Sequence, residues 1–235
     1  MTFPFPFVTP KSTLTVAHLG TAGLNSSTSS GVTTTHTLNV ASPKTLLALS
    51  IANEGTGALA VTVEVDAVTI TPLISYYDTG YDQSGRVGLY VIDTPSGSTV
   101  DVDVTCPSAN RRYTRLDSFS LSGEPAIQNS WTGTASDAST GVLHSTSVSG
   151  NGYLVAVGTS IENMGGGSDR FVGTCGLDQY PGGVTGQSIR LRQTNNTEAS
   201  AVLSGITNVG TKYSQLGSFN YSDGVQLLVA ALEAS

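Results

Sequence analysis

The sequence predicts an all-β protein, a jelly-roll-like antiparallel β-sandwich preceded by an extended N-terminal arm. Apolar residues alternate with polar residues over stretches of strand length, which is the pattern of strands with one buried face. Turn residues separate these stretches about every 8–12 residues, a spacing typical of sandwiches and barrels. Charged residues make up only 11% of the chain and there are 27 glycines, which suits short strands joined by glycine-rich turns.

The clearest element covers residues 86–106. An apolar strand runs into Pro-Ser-Gly at residues 95–97, where proline presets φ and glycine is free to adopt a positive φ. Over residues 100–104 valine then alternates with Asp101 and Asp103, the period of a strand with one wet face. We therefore expect a β-hairpin with the two carboxylates on its outer surface.

Further strands follow from the same signals. A nearly continuous apolar run at residues 45–52 predicts a central strand covered on both faces. The alternation changes parity near Asp66-Ala67, which predicts a bulge or a tight turn, and Pro72 predicts an edge or a strand end. The other strands are predicted at residues 13–18, 34–41, 60–74, 111–124, 140–149, 152–161, 171–177, 187–193, 199–204, 213–221 and 225–233. The last of these has the composition of a helix, but its place at the end of an all-β chain favours a closing strand.

Three connections are also predicted. The sequence Gly-Asn-Gly at residues 150–152 is a strong turn signal and predicts a hairpin between the strands on either side. The polar residues 25–31 indicate a loop. The Tyr/Asp/Gly-rich residues 76–85 indicate another, which leads into the strand that begins the hairpin at residues 86–106.

The chain is expected to form one domain. Nothing near residues 123–131 reads as a linker, so we predict a single β-sandwich domain over residues 31–235, after an N-terminal arm and polar loop over residues 1–30. Prolines in the arm restrict the preceding residues to extended conformations. Its three aromatic side chains need a covering surface, either on their own domain or as docking residues on a neighbouring subunit; they are Phe3, Phe5 and Phe7.

The charge and the cysteines limit the partners. The net charge is −7 and no basic stripe is present, which argues against nucleic acid as a partner. No stretch is long and apolar enough for insertion into a membrane, and the N-terminus lacks the pattern of a secretory signal, so synthesis in a cytosol is expected. Cys106 and Cys175 are far apart in sequence and are either two buried free thiols or one disulfide.

The sequence carries no motif for catalysis, and we expect neither an enzyme nor a cofactor. It lacks a Gly-x-Ser-x-Gly elbow, and His18, His36 and His144 lie among Thr and Ser without a triad signature. Asp101 and Asp103 could contribute oxygen ligands to Ca²⁺, but a wet strand face explains them equally well, and no metal site is predicted.

Sugar binding is the remaining chemistry to consider. Aromatic residues occur in or near predicted loops, flanked by Asn, Asp and Gln. An aromatic ring can cover the apolar CH face of a sugar while amides bond to its hydroxyls. The same rings could instead pack on their own sandwich or on a neighbouring subunit. The candidate glycan contacts are Trp131, Tyr76, Tyr77 and Tyr81.

The order of elements resembles a diverse set of virion proteins from tailed bacteriophages and gene transfer agents. Those proteins have an apolar strand, a Val-Thr-Ile strand and then a Tyr-Val…Pro-x-Gly-x-Thr…Val-x-Val segment. The matching residues here are 46–51, 68–70, Tyr90, Val91, Pro95, Gly97, Thr99, Val102 and Val104, and residues 152–157 also fit. The resemblance covers about residues 34–160 and departs from the pattern at Thr71-Pro72, where the family often has Gly-Gly.

The resemblance implies a structural role. Such proteins serve as head spikes, decoration proteins or fibre components, so a non-enzymatic multimeric virion protein, assembled in the host cytoplasm, is expected. Its partners would be copies of itself, other virion proteins and host surface polysaccharide. The alternative is a glycan-binding, adhesin-like β-sandwich module.

Overall fold

Every secondary-structure element in the described part of the chain is a β-strand, and the strands pair antiparallel, so the all-β sandwich prediction is confirmed. The computed structural model describes residues 14–22, 25–27, 33–41, 43–54, 60–79, 83–94, 99–106, 111–135, 142–146, 152–160, 172–180, 187–194, 198–204 and 225–235. The strands are β1 (Val16–Thr21), β2 (Asn25–Ser27), β3 (Thr33–Asn39), β4 (Lys44–Glu54), β5 (Thr62–Val65), β6 (Val68–Thr69), β7 (Pro72–Thr79), β8 (Gln83–Asp93), β9 (Thr99–Thr105), β10 (Arg111–Leu121), β11 (Pro125–Ala135), β12 (Val142–Thr146), β13 (Gly152–Ser160), β14 (Val172–Tyr180), β15 (Gln187–Thr194), β16 (Glu198–Ser204) and β17 (Val225–Ala234).

The strands that the structure describes form four sheets. The central sheet has the order β1-β10-β4-β8-β7, with β2 also paired to β10. The upper sheet has the order β3-β9-β5-β6, the lower sheet β11-β17-β13-β14, and the small sheet β12-β15-β16. The central sheet packs against the upper sheet on one face and against the lower sheet on the other.

Strand β4 explains this layered arrangement. Residues 45–53 are all buried, whichever face they lie on. Leu47 packs in the upper core layer with Val102, and Leu46 packs in the lower core layer with Val155. The prediction of a central strand covered on both faces is therefore confirmed, because its unbroken apolar run supplies side chains to two cores.

The predicted hairpin at residues 86–106 is wrong. Both strands exist, but β8 pairs with β4 and β7 in the central sheet, whereas β9 pairs with β3 and β5 in the upper sheet. Tyr90 of β8 and Val102 of β9 meet in the same core layer. The two strands thus face each other across a layer instead of pairing edge to edge.

The second predicted hairpin, around residues 150–152, is wrong for the same reason. Strand β12 pairs with β15 in the small sheet, while β13 lies between β17 and β14 in the lower sheet. A turn signal shows that the chain reverses or changes direction. It does not show whether the strand after the turn stays in the same sheet.

The turn at Asp66-Ala67 is confirmed. It joins β5 to β6, pairs Val65 with Val68, and has φ values of 51° at Asp66 and 61° at Ala67. Positive φ at both central residues is the geometry of a type I′ turn, the favoured two-residue hairpin connection. The prediction for Pro72 is confirmed as well, because it is the first residue of β7, an edge strand of the central sheet.

The loop predictions are partly wrong. Residues 25–27, expected in a polar loop, form β2, and most of residues 76–85, expected in another, belong to β7 and β8.

The predicted closing strand at the C-terminus is confirmed as β17, which lies inside the lower sheet. The predicted arm residues Phe3, Phe5 and Phe7 and the strand at residues 213–221 lie outside the described residues. The jelly-roll topology and the division at residue 30 stay predictions.

Candidate functional site

The predicted sugar-binding aromatics do not share one surface. Tyr76 and Tyr77 are neighbours on β7, not loop residues, so their side chains point to opposite faces of the sheet. Tyr76 packs against the lower core layer and Tyr77 against the upper one. Trp131 lies on β11 in the lower sheet, and Tyr81 lies outside the described residues.

Tyr76 joins the central and lower sheets. Its hydroxyl donates to Asp78 Oδ2 at 3.2 Å and also shares a hydrogen bond with the Thr132 side chain of β11. Burial, and then the nearby Asp78 carboxylate, raise the pKa of Tyr76 above its usual value. These contacts make Tyr76 a link between two layers.

Tyr77 is covered by a cation. It lies directly across the strand pair from Arg86, whose guanidinium carbon is 5.8 Å from the centre of the Tyr77 ring. This is the distance of a cation–π contact. The ring face that Arg86 covers is thereby occupied within the protein itself.

Trp131 occupies a different setting. Strand β11 is an edge strand, and Trp131 pairs with Val229 on β17, whereas its neighbour Thr132 reaches Tyr76 on the opposite face of the sheet. The Trp131 indole lies over Gly133, so close that a Cβ at Gly133 would be 2.3 Å from two ring carbons. The ring is half-buried.

Charged side chains lie on the face of β10 that packs on the lower sheet, a feature the sequence analysis did not single out. Arg115 Nε lies 3.5 Å from Asp117 Oδ1, and the Asp117 side chain is fully buried. Burial lowers the pKa of Arg115, and the Asp117 carboxylate opposes this effect. The sequence does contain a signal for this ion pair. Arg115, Asp117 and Phe119 alternate along one strand, which puts both charges on the same face as a core aromatic residue.

His18 lies beside this ion pair on β1. Its ring packs on Phe119, with 5.3 Å between the ring centroids. Desolvation lowers the pKa of His18, while the charge of Asp117 raises it. Arg115 and Asp117 therefore form an ion pair inside the fold, next to the partly enclosed ring of His18.

His36 is a second buried histidine. It is 1% exposed in β3, directly opposite Val102, and neither ring nitrogen has a hydrogen-bond partner in the described structure. Desolvation alone lowers the pKa of His36 to about 4. A neutral imidazole this deeply buried, without a hydrogen-bond partner in the described structure, is a core residue. The side chain of His144 lies outside the described residues.

The outer face of the upper sheet carries the acidic residues that the sequence analysis weighed as calcium ligands. Thr35 Oγ1 donates to Asp103 Oδ1 and Thr37 Oγ1 donates to Asp101 Oδ1, both at 2.6 Å. These carboxylates face outward as predicted, bonded to the threonines of β3. Among the described residues, no group of three His, Cys, Asp or Glu side chains could hold a metal ion.

Cys106, which directly follows β9, is a fully buried thiol that is not part of a disulfide. Of the two alternatives for this cysteine, the buried thiol is confirmed. In the part of the chain that the structure describes, no helix is long and apolar enough to cross a membrane.

The comparisons with known proteins found no likeness to report. No family model matches the chain, no curated protein matches it, and no solved structure matches it.

Proposed function

We propose that this protein is a non-enzymatic structural subunit of a tailed-phage or phage-like virion, a spike, decoration or fibre-base protein that assembles as a multimer. Its localisation would be the virion, assembled in the host cytoplasm. Its partners would be copies of itself, other virion proteins and the host surface. The resemblance of residues 34–160 to such proteins supports this proposal, and so does the layered all-β body.

The observation that carries the proposal is how the described polar groups are used. Asp101 and Asp103 bond to threonines within their own sheet, and Arg115 pairs with Asp117 inside the fold. His36 is enclosed in the core. The described carboxylates Asp101, Asp103 and Asp117 therefore hold strands together, which supports a structural role.

Light scattering coupled to size-exclusion chromatography tests the proposal. We expect the full-length protein to form a discrete multimer and a variant lacking residues 1–12 to form a smaller species. A variant with alanine at Phe3, Phe5 and Phe7 separates the effect of the aromatic side chains from that of arm length. A monodisperse monomer for both the full-length and the truncated protein, with no binding to capsids, would contradict the proposal.

A second candidate function is recognition of a host glycan. The specific observation in its favour is the half-buried Trp131 on an edge strand, preceded by the exposed side chains of residues 128–130. Both functions can belong to one virion protein.

A further inference from the structure

We propose that strand β3 is an acid-sensitive latch on the upper core layer: in mild acid His36 takes up a proton, β3 separates from β9, and the layer between the upper and central sheets opens at this edge. Such a device is independent of the role in a virion proposed above. Three features of the structure support it: the enclosure of His36, the charges that face it, and the position of β3 at the edge of its sheet.

His36 is enclosed without a polar partner. The side chain is 1% exposed, and neither Nδ1 nor Nε2 has a hydrogen-bond partner in the described structure. Val102 lies directly across the strand pair, and Leu38 follows on the same inner face of β3. A proton added to this ring would therefore create a buried charge that no described group of the protein solvates, which is costly.

No counter-ion faces His36 across the upper core layer in the described part of the chain. The described side chains that β4, β5 and β10 contribute to this layer are uncharged. The titratable side chains that face it from β7, β8 and the end of β9 are Tyr77, Arg86, Tyr90 and Cys106. In mild acid an arginine is a cation, while a tyrosine and a cysteine are uncharged. The carboxylates of Asp101 and Asp103 lie on the opposite, outer face of the upper sheet, bonded to threonines.

Strand β3 is the element whose separation exposes His36 at the lowest cost. It lies at one end of the described sheet order and pairs with β9 alone, whereas β4 and β8 of the central sheet each have a strand on both sides. The bonds from Thr35 to Asp103 and from Thr37 to Asp101 lie on the outer face, where water competes for them. Opening one edge element costs less than unfolding the whole protein. The central sheet can therefore stay paired when β3 separates.

The pH dependence follows from where the proton binds. Desolvation lowers the pKa of His36 from its usual 6.5 to about 4 while β3 is in place. When β3 separates, the ring reaches water and its pKa returns to the usual value, so between pH 6.5 and pH 4 the open form binds more protons. Opening is thus unaffected above pH 6.5 and becomes more favourable as the pH falls. Between pH 7 and pH 5 its equilibrium constant should rise about twentyfold.

Hydrogen exchange of the full-length protein, followed by mass spectrometry at pH 7 and pH 5 and corrected for intrinsic exchange rates, tests the latch. We expect the protection of the amides in β3 to fall about twentyfold between these two pH values. At both values the amides of β4 should stay better protected than those of β3 by about tenfold or more, because β4 opens only with the whole fold.

Two variants of β3 supply a matched pair. His36→Leu removes the titrating group and fills the same space, so the protection of β3 should become equal at pH 7 and pH 5. Thr37→Ala removes the bond to Asp101 on the outer face, so it should lower the protection of β3 at both pH values and keep the twentyfold ratio between them. Circular dichroism shows whether each variant is folded, and His36→Met is measured if His36→Leu is not.

Three results would overturn the proposal. The first is protection of β3 that is the same at pH 7 and pH 5 in the unchanged protein. The second is a twentyfold fall that persists in His36→Leu, because another group would then drive the opening. The third is equal protection in β3 and β4, which would mean that β3 separates only when the whole protein unfolds.

Discussion

His36 is an unusual core residue because its polar atoms have no partner in the described structure. Strand β3 alternates between exposed threonines and the buried side chains of His36 and Leu38. The position accepts an imidazole because the neutral ring is small and largely apolar. Charging it there would be costly, since no described group would stabilise the imidazolium.

We predict that His36 makes the fold sensitive to mild acid. In the unfolded chain its pKa is near 6.5, whereas burial lowers it to about 4 in the folded protein. Between these values the unfolded state binds more protons, so stability is fully present above pH 6.5 and falls as the pH drops towards 4. The loss from this group can reach about 3 kcal/mol. Urea unfolding from pH 7 to pH 4.5 measures it.

The matched variants are His36→Leu and His18→Gln. We expect His36→Leu to flatten the pH dependence of unfolding over this range, because the titrating group is gone. His18 is only partly enclosed, so His18→Gln should keep most of the pH dependence. An unchanged pH profile in His36→Leu would show that other groups cause the acid sensitivity.

At the scale of the element, β4 is the strand on which two cores depend. In an ordinary sandwich strand, adjacent residues differ in burial, as in β3, where Thr37 is exposed and Leu38 is buried. In β4, adjacent residues are both buried, one against each neighbouring sheet. A central strand of a layered β protein thus resembles a buried parallel strand in sequence although its pairing is antiparallel.

Because both faces of β4 are packed, we expect the free energy of unfolding to fall by a similar amount when a leucine on either face is replaced by alanine. Leu46→Ala and Leu47→Ala should each lower the free energy of unfolding by about 2–5 kcal/mol, since each leaves a cavity in a packed core. In β3, Leu38→Ala should have a comparable effect, whereas Thr37→Ala should cost less than about 1 kcal/mol. Chemical unfolding measures all four. A small effect of either leucine variant in β4 would argue against two closely packed layers.

At the scale of the whole molecule, a polar contact joins the end of the central sheet to the start of the lower one. Lys44 Nζ binds Asp93 Oδ1 on β8 and lies 2.8 Å from Glu124 Oε2, just before β11 begins. The hydrogen bond that Lys44 donates to Asp93, followed by the one that it donates to Glu124, raises the pKa of Lys44. The Asp93 and Glu124 side chains are largely exposed, so salt can screen this contact.

We predict that Lys44→Met lowers stability by no more than about 1 kcal/mol at low ionic strength. The difference from the unchanged protein should shrink in 1 M NaCl, because screening weakens the ion pairs that the variant lacks. Thermal unfolding of both proteins at the two salt concentrations measures this. A difference that persists undiminished at high salt would mean that Lys44 acts through the packing of its aliphatic stem.

The edges of the sheets bear on assembly. Strand β7 begins with Pro72 and has an irregular register near Ile74, and β11 has a bulge at Gln128. Proline and bulges are devices that prevent uncontrolled pairing of edge strands. We therefore expect ordered multimers to use the N-terminal arm in preference to these two edges, which is what deletion of residues 1–12 tests.

The sequence by itself determined where most of the described strands lie and, in β4 and β9, which residues are buried. Alternation placed His36 and Leu38 together, a change of parity located the turn at Asp66-Ala67, and an unbroken apolar run marked β4. These features are local, since they follow from the two-residue period of a strand and from the backbone preferences of a few residues.

Only the tertiary structure decided which strands are neighbours. Strands β8 and β9 follow each other in sequence, yet they belong to different sheets and meet across a core layer. The pairing of strands also placed Tyr76 against the lower core layer, Tyr77 against the upper core layer and Trp131 on β11 of the lower sheet. It likewise buried Arg115 and Asp117 together. Alternation reports that a face is covered but not what covers it, because the covering side chains come from distant parts of the chain.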